Sequence, residues 1–402
     1  MFKIFHLTTP SNNNMKNDSY TIGIDIGSEQ IKAVVIDAAS RNEKQPTILA
    51  ALSTASSGVT KGYINNQDAV EYSLNELVEK VLKKYPAKYS DINVAINGIG
   101  LRSQYVRTSN DIQNKSREIE AADIDAVVAK AEDLFSKKYP NKKILYINSQ
   151  KYRVDDRDVL GSPVGMYGET IEAKILFVTV PEHHYESCIR IFESSSLSID
   201  NLVAAPLAEA ALLSPAQKNN GCVLLNIGAQ TSSMSVYENG FMSSLEVFPI
   251  GSNDITNDLA LGHQISREEA HELKLDAKNK ASKQTQEIIQ ARMYDILELM
   301  ERHLIRIKKN RLLPAGVIIT GGSAYLEGIE AYTKSQLKIP AETIKILKKS
   351  PSQKRASALD PKFSLAYALT LPSQNARHFK KSLFSIKKIF KNAKKLFDEL
   401  MP

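Results

Sequence analysis

Two stretches far apart in the chain repeat one design. Residues 20–39 read YTIGIDIGSEQIKAVVIDAA, and residues 221–240 read GCVLLNIGAQTSSMSVYENG. Each runs from an apolar strand into a small-residue turn built on Ile-Gly and leaves through a second alternating strand. A chain that builds this unit twice, about 200 residues apart, is held to an architecture of two related halves. The copies differ at one place. Asp25 stands two residues before the first turn glycine, Gly27, whereas Asn226 stands there before Gly228.

A tight Ile-Gly turn presents backbone N–H groups to an anion, because glycine permits the conformation and lets a ligand approach. An acid beside it, such as Asp25, can hold a hydrated Mg2+ next to phosphates. One such turn is ordinary hairpin chemistry. Two of them suggest a duplicated α/β domain with a nucleotide clamped between. A third element fits that reading. VIITGGSAYLEG at 317–328 is a buried strand that ends at Gly321-Gly322-Ser323 before a helix. It places close-approach backbone at the C-terminal end of a strand, where α/β sheets bind ligands. The expected cleft residues are Asp25, Gly27, Ser28, Asn226, Gly228, Ala229, Gln230, Thr231, Gly321, Gly322 and Ser323.

Between the copies, residues 67–85 have helical period, with Val70, Leu74, Leu77, Val78, Val81 and Leu82 on one face. DINVAING at 91–98 reads as a buried strand. Residues 91–178 then read as a block of their own: strand, helix at 121–139, and two strands at 143–154 and 170–180. That block reads as a small α+β insertion. Pro181 opens a further helix at its first turn, with His183 and His184 expected at an exposed helix end. After the second hairpin, Ser266 and Glu269 are spaced as a capping box. Residues 276–286 read as a polar loop before a long amphipathic helix, and SLAYALTL at 364–371 as one more buried helix. Residues 1–19 are Asn-rich, with no long apolar run, and read as a disordered leader. The two cysteines, Cys188 and Cys222, form no metal-like cluster and give no disulfide framework, which fits a reducing compartment.

The charge is concentrated at the end of the chain. From Arg377 onward, seven Lys and one Arg against Asp398 and Glu399 leave +6 of the net +7. The body is therefore near neutral and lacks the basic face of a nucleic-acid binder. At 100° per residue, Phe379, Leu383, Ile386, Ile389, Phe390, Ala393, Leu396, Phe397 and Leu400 fall on one arc. The seven lysines, among them Lys387, Lys388, Lys394 and Lys395, fall on the facing arc; Phe384 is the apolar exception there. A helix so divided is expected to lie in an anionic membrane surface, each Lys contributing about 1 kcal/mol, the alternative being a helix docked on the protein's own body or on a partner.

The ordered trio of turns resembles the actin-like ATPase superfamily. The segments SPVGMYGETIEAKILFVT, FPIGSNDITNDLALGHQISREEAHELK and IITGGSAYLEGI sharpen this to a resemblance to the bacterial cell-division family FtsA, over most of residues 20–371. The resemblance implies an actin-like (ribonuclease H-like) duplicated α/β domain with an inserted small α+β domain and a C-terminal amphipathic helix. It divides the chain into a leader (1–19), a first actin-like domain (20–90, 179–213 and 349–371), the inserted domain (91–178), a second actin-like domain (214–348), a linker (372–378) and the membrane helix (379–400). It implies ATP and Mg2+ as cofactors, with Asp25 holding Mg2+ through water and Lys274 near the ribose or base. It implies self-association into filaments, and attachment to the cytoplasmic face of the cell membrane at the division site. The FtsZ C-terminal peptide would be received by a subdomain at about 252–313, with Arg292 as the basic contact.

Relatives in that superfamily usually carry Asp-x-Gly-Gly-Gly-Thr at the second turn; here Asn226, Ala229 and Gln230 depart from it and Thr231 is kept. Ala205 stands where the family tends to carry Glu, and Glu209 lies about one helical turn further on as the remaining candidate catalytic acid. Hydrolysis needs a group that orients water, so the expected activity is weak or absent. Two other readings remain open on sequence: a PilM-like type IV pilus scaffold, favoured by Gly-Ala at the second turn, and an active ATPase or sugar-kinase relative.

The tail yields the first prediction. Phe390→Glu releases the protein from anionic liposomes in co-sedimentation, and Lys-to-Gln changes along the basic arc weaken binding and flatten its salt dependence. Retention of full binding by a chain ending at Gln374 would refute the anchor.

Overall fold

The structure, a computed structural model, describes residues 19–87, 90–114, 116–195, 197–275, 282–348 and 357–372. The linker after 372 and the amphipathic arc at 379–400, like nearly all of the leader, lie outside the described residues.

The repeat seen in sequence becomes a repeat of topology. Tyr20–Ile26 pairs antiparallel with Gln30–Asp37, which pairs with Ile48–Ala55. On its other side Tyr20–Ile26 pairs parallel with Ser90–Ile96, and that strand with Asn201–Ala204. The second sheet repeats the order. Cys222–Ile227 lies between Ser232–Glu238 and the parallel strand Val317–Thr320, with Phe241–Phe248 and Ala341–Thr343 at the two edges. The hairpin register is also shared: Ile26 opposes Ile31, and Ile227 opposes Ser232. Each turn thus spans four residues and closes by one backbone bond, Gly27 N–H to Gln30 O at 3.1 Å and Gly228 N–H to Thr231 O at 2.9 Å.

Both central strands are covered on both faces, and so read as continuous apolar runs. Ile22 and Ile24 pack with Val70, Leu74, Leu77 and Val81 of the helix Gln67–Leu82. That helix starts where Asn66 accepts a hydrogen bond from Ala69 N–H. Val78 and Leu82, at the margin of the same face, are only half-buried. In the second half Val223, Leu225 and Ile227 pack with Met293, Ile296, Leu297 and Met300 of Lys283–Arg306. This helix begins four residues before the apolar pattern at Glu287, because Ser282 caps it through Thr285 N–H at 3.2 Å. The Ser266–Glu269 capping box is present ahead of Arg267–Leu275.

One boundary read from sequence is corrected. The strand at 90–96 belongs to the first sheet, not to the inserted block, because both its neighbours are strands of that sheet. The separate four-stranded sheet begins at Arg102 and runs in the order Arg102–Asp111, Thr170–Pro181, Lys142–Val154, Arg157–Val159. The helix Ala121–Lys138 covers one face through Val127, Ala131 and Phe135. The other face puts Tyr146, Leu176 and Val178 against Leu224, Tyr237 and Leu245 of the second half.

A second expectation also changes. His184, read as a residue of an exposed helix end, is buried, with Nε2 2.6 Å from the Asn97 carbonyl oxygen. Only His183 is exposed. Both cysteines are buried free thiols.

Ser364–Ala368 returns to the first sheet and lies across the face opposite Gln67–Leu82. Gly23, in mid-strand, is what lets it approach. A Cβ there would fall 2.0 Å from the Ala366 carbonyl oxygen and 2.8 Å from Leu369 Cβ. Gly23→Ala should therefore destabilise the protein by about 2–3 kcal/mol, as overpacking against backbone does. Urea denaturation checks this; an unchanged midpoint would mean that the helix can shift away freely.

Candidate functional site

The cleft between the halves is built from the three turns. Its cavity, about 370 Å³, is lined by every residue expected from sequence, from Asp25, Gly27 and Ser28 through Asn226, Gly228, Ala229, Gln230 and Thr231 to Lys274, Gly321, Gly322 and Ser323. The turns are prepared as anion cradles. Among the described residues, the N–H groups of Ser28, Glu29, Ala229 and Gln230 have no protein acceptor. A Cβ at Gly322 would meet nothing within 4 Å. The Ser323 hydroxyl, buried in the cavity wall, has no partner either. Such orphaned donors and acceptors suit a phosphate-bearing ligand. The third turn departs in detail from expectation: a 3-10 turn, Gly322–Tyr325, follows the glycines, and the α-helix starts only at Ile329.

The second turn is braced from behind. The N–H groups of Ser252 and Asn253, at the start of the helix Ser252–His263, donate to the carbonyls of Gly228 and Ala229 at 2.9 and 2.8 Å. Gly251 runs against this turn, where a Cβ would lie 2.5 Å from the Ala229 oxygen. Lys274, on Arg267–Leu275, is buried against the same helix, with Nζ 2.8 Å from Thr256 Oγ1 and 3.2 Å from the Ser252 carbonyl. Burial depresses its pKa to about 8.

The first turn holds a cation that the sequence reading missed. Lys32 is the cross-strand partner of Asp25, and its Nζ lies 2.7 Å from Asp25 Oδ2 at the cavity wall. The signal was available in principle: in a hairpin with a four-residue turn, the residue seven after the acid sits directly opposite it. Two contacts tie the halves across the cleft. Lys61 N–H donates to Gln230 Oε1 at 2.8 Å, and His271 Nδ1 is 3.9 Å from Glu29 Oε1. Gly62 N–H also donates to Ser28 Oγ at 3.2 Å.

The most informative contact lies one layer behind the cavity. Glu209 is buried, and its Oε1 accepts from Asn226 Nδ2 at 2.6 Å and from Thr320 Oγ1 at 3.0 Å. Burial is the main reason its pKa rises to about 7, against the pull of those two donors. Glu209 does not line the cavity, whereas Asn226 does. Ala205 is buried among Ala95, Ala208, Leu365 and Leu369 and does not line the cavity. Away from the cleft, Arg292 is clamped by Asp258 through two bonds of 2.6 and 2.9 Å, with Asp295 at 3.3 Å.

Comparison with known proteins places this geometry. The family model "Cell division protein FtsA" matches residues 223–368, and "SHS2 domain inserted in FTSA" matches residues 98–179. Among curated proteins, the cell division protein FtsA of Borreliella burgdorferi is 23% identical over 386 residues, covering 90% of this chain and 92% of its own. That of Bacillus subtilis is 25% identical over 349 residues, covering 80% and 78%, and that of Escherichia coli K12 is 22% identical over 345, covering 77% and 80%. Among solved structures, a chain of the PilM-PilN type IV pilus biogenesis complex superposes with a TM-score of 0.64 at 14% identity, covering 87% of this chain and 97% of that one. The ethanolamine utilization protein EutJ of Carboxydothermus hydrogenoformans gives 0.53 at 16%, covering 88% and 89%. These two likenesses speak to fold alone.

The buried acid predicts a pH effect. Glu209 has a folded pKa near 7 against an ordinary value of 4.5, so folding binds its proton more tightly than unfolding does. The stability that this proton contributes is complete below about pH 4.5 and is lost as pH rises through 7. The difference in unfolding free energy between the native protein and Glu209→Gln should change by up to about 3 kcal/mol across that window. Denaturant titrations at pH 5 and pH 8 measure it; equal differences at the two pH values would show that Glu209 titrates normally.

Proposed function

The chain belongs to the FtsA family of cell-division proteins with the actin-like fold, and from that premise we propose that it is an ATP-binding, filament-forming tether for FtsZ. ATP binds in the cleft. Its phosphates lie against the free N–H groups of the turns at 27–30 and 228–231, with Lys32 beside them. Mg2+, when bound, neutralises phosphate charge. The residues suited to its hydration shell are Asp25 and the side-chain oxygen of Asn226. Lys274 lies on the helix that closes one side of the cavity, within reach of the nucleoside end. The single observation that carries this reading is the pair of matching turns facing one cavity, each with unpartnered N–H groups.

Hydrolysis is slow in this reading. Asn226 supplies no charge at the cavity wall, Ala205 is buried and does not line it, and Glu209 is engaged by two donors behind it. The nucleotide then serves to hold the two halves together and to set the filament-competent form. FtsZ is bound through its C-terminal peptide by the helices of 252–313. Arg292 would meet an acidic peptide by exchanging Asp258 for it. The amphipathic arc at 379–400 supplies attachment to the anionic cytoplasmic face of the membrane. No helix among the described residues is long and apolar enough to cross a membrane. The PilM-like reading is supported by the Gly-Ala of the second turn and by fold likeness, whereas the inserted-domain and second-half matches are to FtsA.

Two measurements test this. Calorimetry should show Mg-ATP binding to the native protein, with a rise in melting temperature as ligand linkage requires; Lys32→Ala should weaken it at least tenfold. Absence of heat and of any thermal shift at millimolar Mg-ATP would remove the nucleotide reading. Phosphate release should stay near background, and turnover above about 1 s⁻¹, ordinary for an enzyme, would contradict the slow-hydrolysis reading.

A further inference from the structure

Asn226 occupies the cavity wall where the first half has an acid, and the side chain behind it is itself an acid. The two ends of the amide are committed differently. Nδ2 donates to Glu209 Oε1, and Oδ1 lies against Gly321, where a Cβ would come within 2.4 Å of it. Gly321 has φ +85°, so its backbone takes a conformation that glycine adopts without strain and leaves room for that oxygen. Thr320, next in the chain, donates to the same Glu209 oxygen. An oxygen already accepting two hydrogen bonds leaves the amide a single favoured orientation, with nitrogen on Glu209 and oxygen beside Gly321, which itself lines the cavity.

We propose that Glu209 is a positioning residue of the nucleotide site, locking the Asn226 amide with its oxygen toward the bound ligand's cation. The pair is an acid and an amide in transposed order. The carboxylate sits one layer behind the cavity, and the amide in front passes on an oxygen acceptor without a full charge. This explains how the second turn keeps a cation-facing oxygen although its acid is absent. It also gives a buried carboxylate partners, which it needs in order to be tolerated there. The proposal rests on the nucleotide reading above, and its test separates the two.

The test is a four-member cycle of full-length proteins: native, Glu209→Gln, Asn226→Asp, and the double variant. Each is titrated with ATP in Mg2+ and in EDTA, and melted without nucleotide. In Glu209→Gln the amide behind can turn either end to Asn226, so the orientation is no longer fixed. The gain in ATP affinity on adding Mg2+ should fall at least tenfold, while affinity in EDTA stays within about threefold. Asn226→Asp sets a second carboxylate, at the cavity wall, against the buried one and should lower the melting temperature by several degrees. The double variant restores one acid and one amide, now with the acid in front. It should recover most of the melting temperature and the Mg2+ dependence. An unchanged Mg2+ dependence in Glu209→Gln, or a double variant no better than the worse single one, would overturn the proposal. If the native protein binds no ATP under either condition, the nucleotide reading fails on its own. The melting temperatures then decide the pair alone: recovery in the double variant supports it, and additive losses overturn it.

Discussion

One backbone hydrogen bond in each half organises the cleft. Gly27 N–H to Gln30 O and Gly228 N–H to Thr231 O close two turns of equal length and register. Each closure leaves the neighbouring N–H groups, on residues that line one cavity, without a protein acceptor. Apolar packing makes the two sheets, but packing has no preference for where a hairpin ends. The turns set that, and the parallel strand beside the second hairpin then brings the third turn, at Gly321-Gly322, to the same level. The first-half turn keeps a charge pair, Asp25 with Lys32, where the second half has Asn226 opposite Ser233. The site is therefore symmetric in backbone and asymmetric in charge.

Contacts run outward from the cleft to the inserted domain. Gln230 and Ser28 receive the N–H groups of Lys61 and Gly62. Tyr63, next in the chain, stacks on His183 and lies 4.5 Å, centroid to centroid, from the ring of His184. His184 contacts the carbonyl of Asn97, at the point where the chain leaves the first sheet for the inserted one. Gly62 and Gly98 pass so closely there that a Cβ on Gly62 would lie 2.5 Å from Gly98 Cα. The inserted sheet is then held on the second half by its apolar face and by side-chain bonds, such as Ser103 Oγ accepting from Leu245 N–H at 2.8 Å. These contacts form a packed route from the cleft to the inserted domain.

Much of this was legible in the sequence, because it depends on local period. The duplicated hairpins, the face of the helix at 67–82, the capping box at 266–269 and the cavity residues of all three turns follow from alternation and turn chemistry. What escaped depends on partners distant in the chain. The strand at 90–96 was grouped with the insertion because a short buried run does not name its neighbours. His184 was read as exposed because a polar residue at a helix start usually is; its partner, Asn97, lies 87 positions away. Glu209 could be placed one helical turn past Ala205 but not against Asn226, since that contact joins a helix to a strand of the other half. Arg292 could be seen as a basic residue on a helix, but not as one already paired with Asp258.

The central claim is that the matching turns hold one nucleotide between them. A crystal structure grown with Mg2+ and a non-hydrolysable ATP analogue tests it most directly. The account predicts phosphate density between residues 27–30 and 228–231, contacted by the N–H groups of Ser28 and Ala229 and by Lys32, with the Asn226 oxygen toward the metal and its nitrogen on Glu209. A cavity holding only solvent at saturating ligand, or a nucleotide bound elsewhere on the chain, would contradict it.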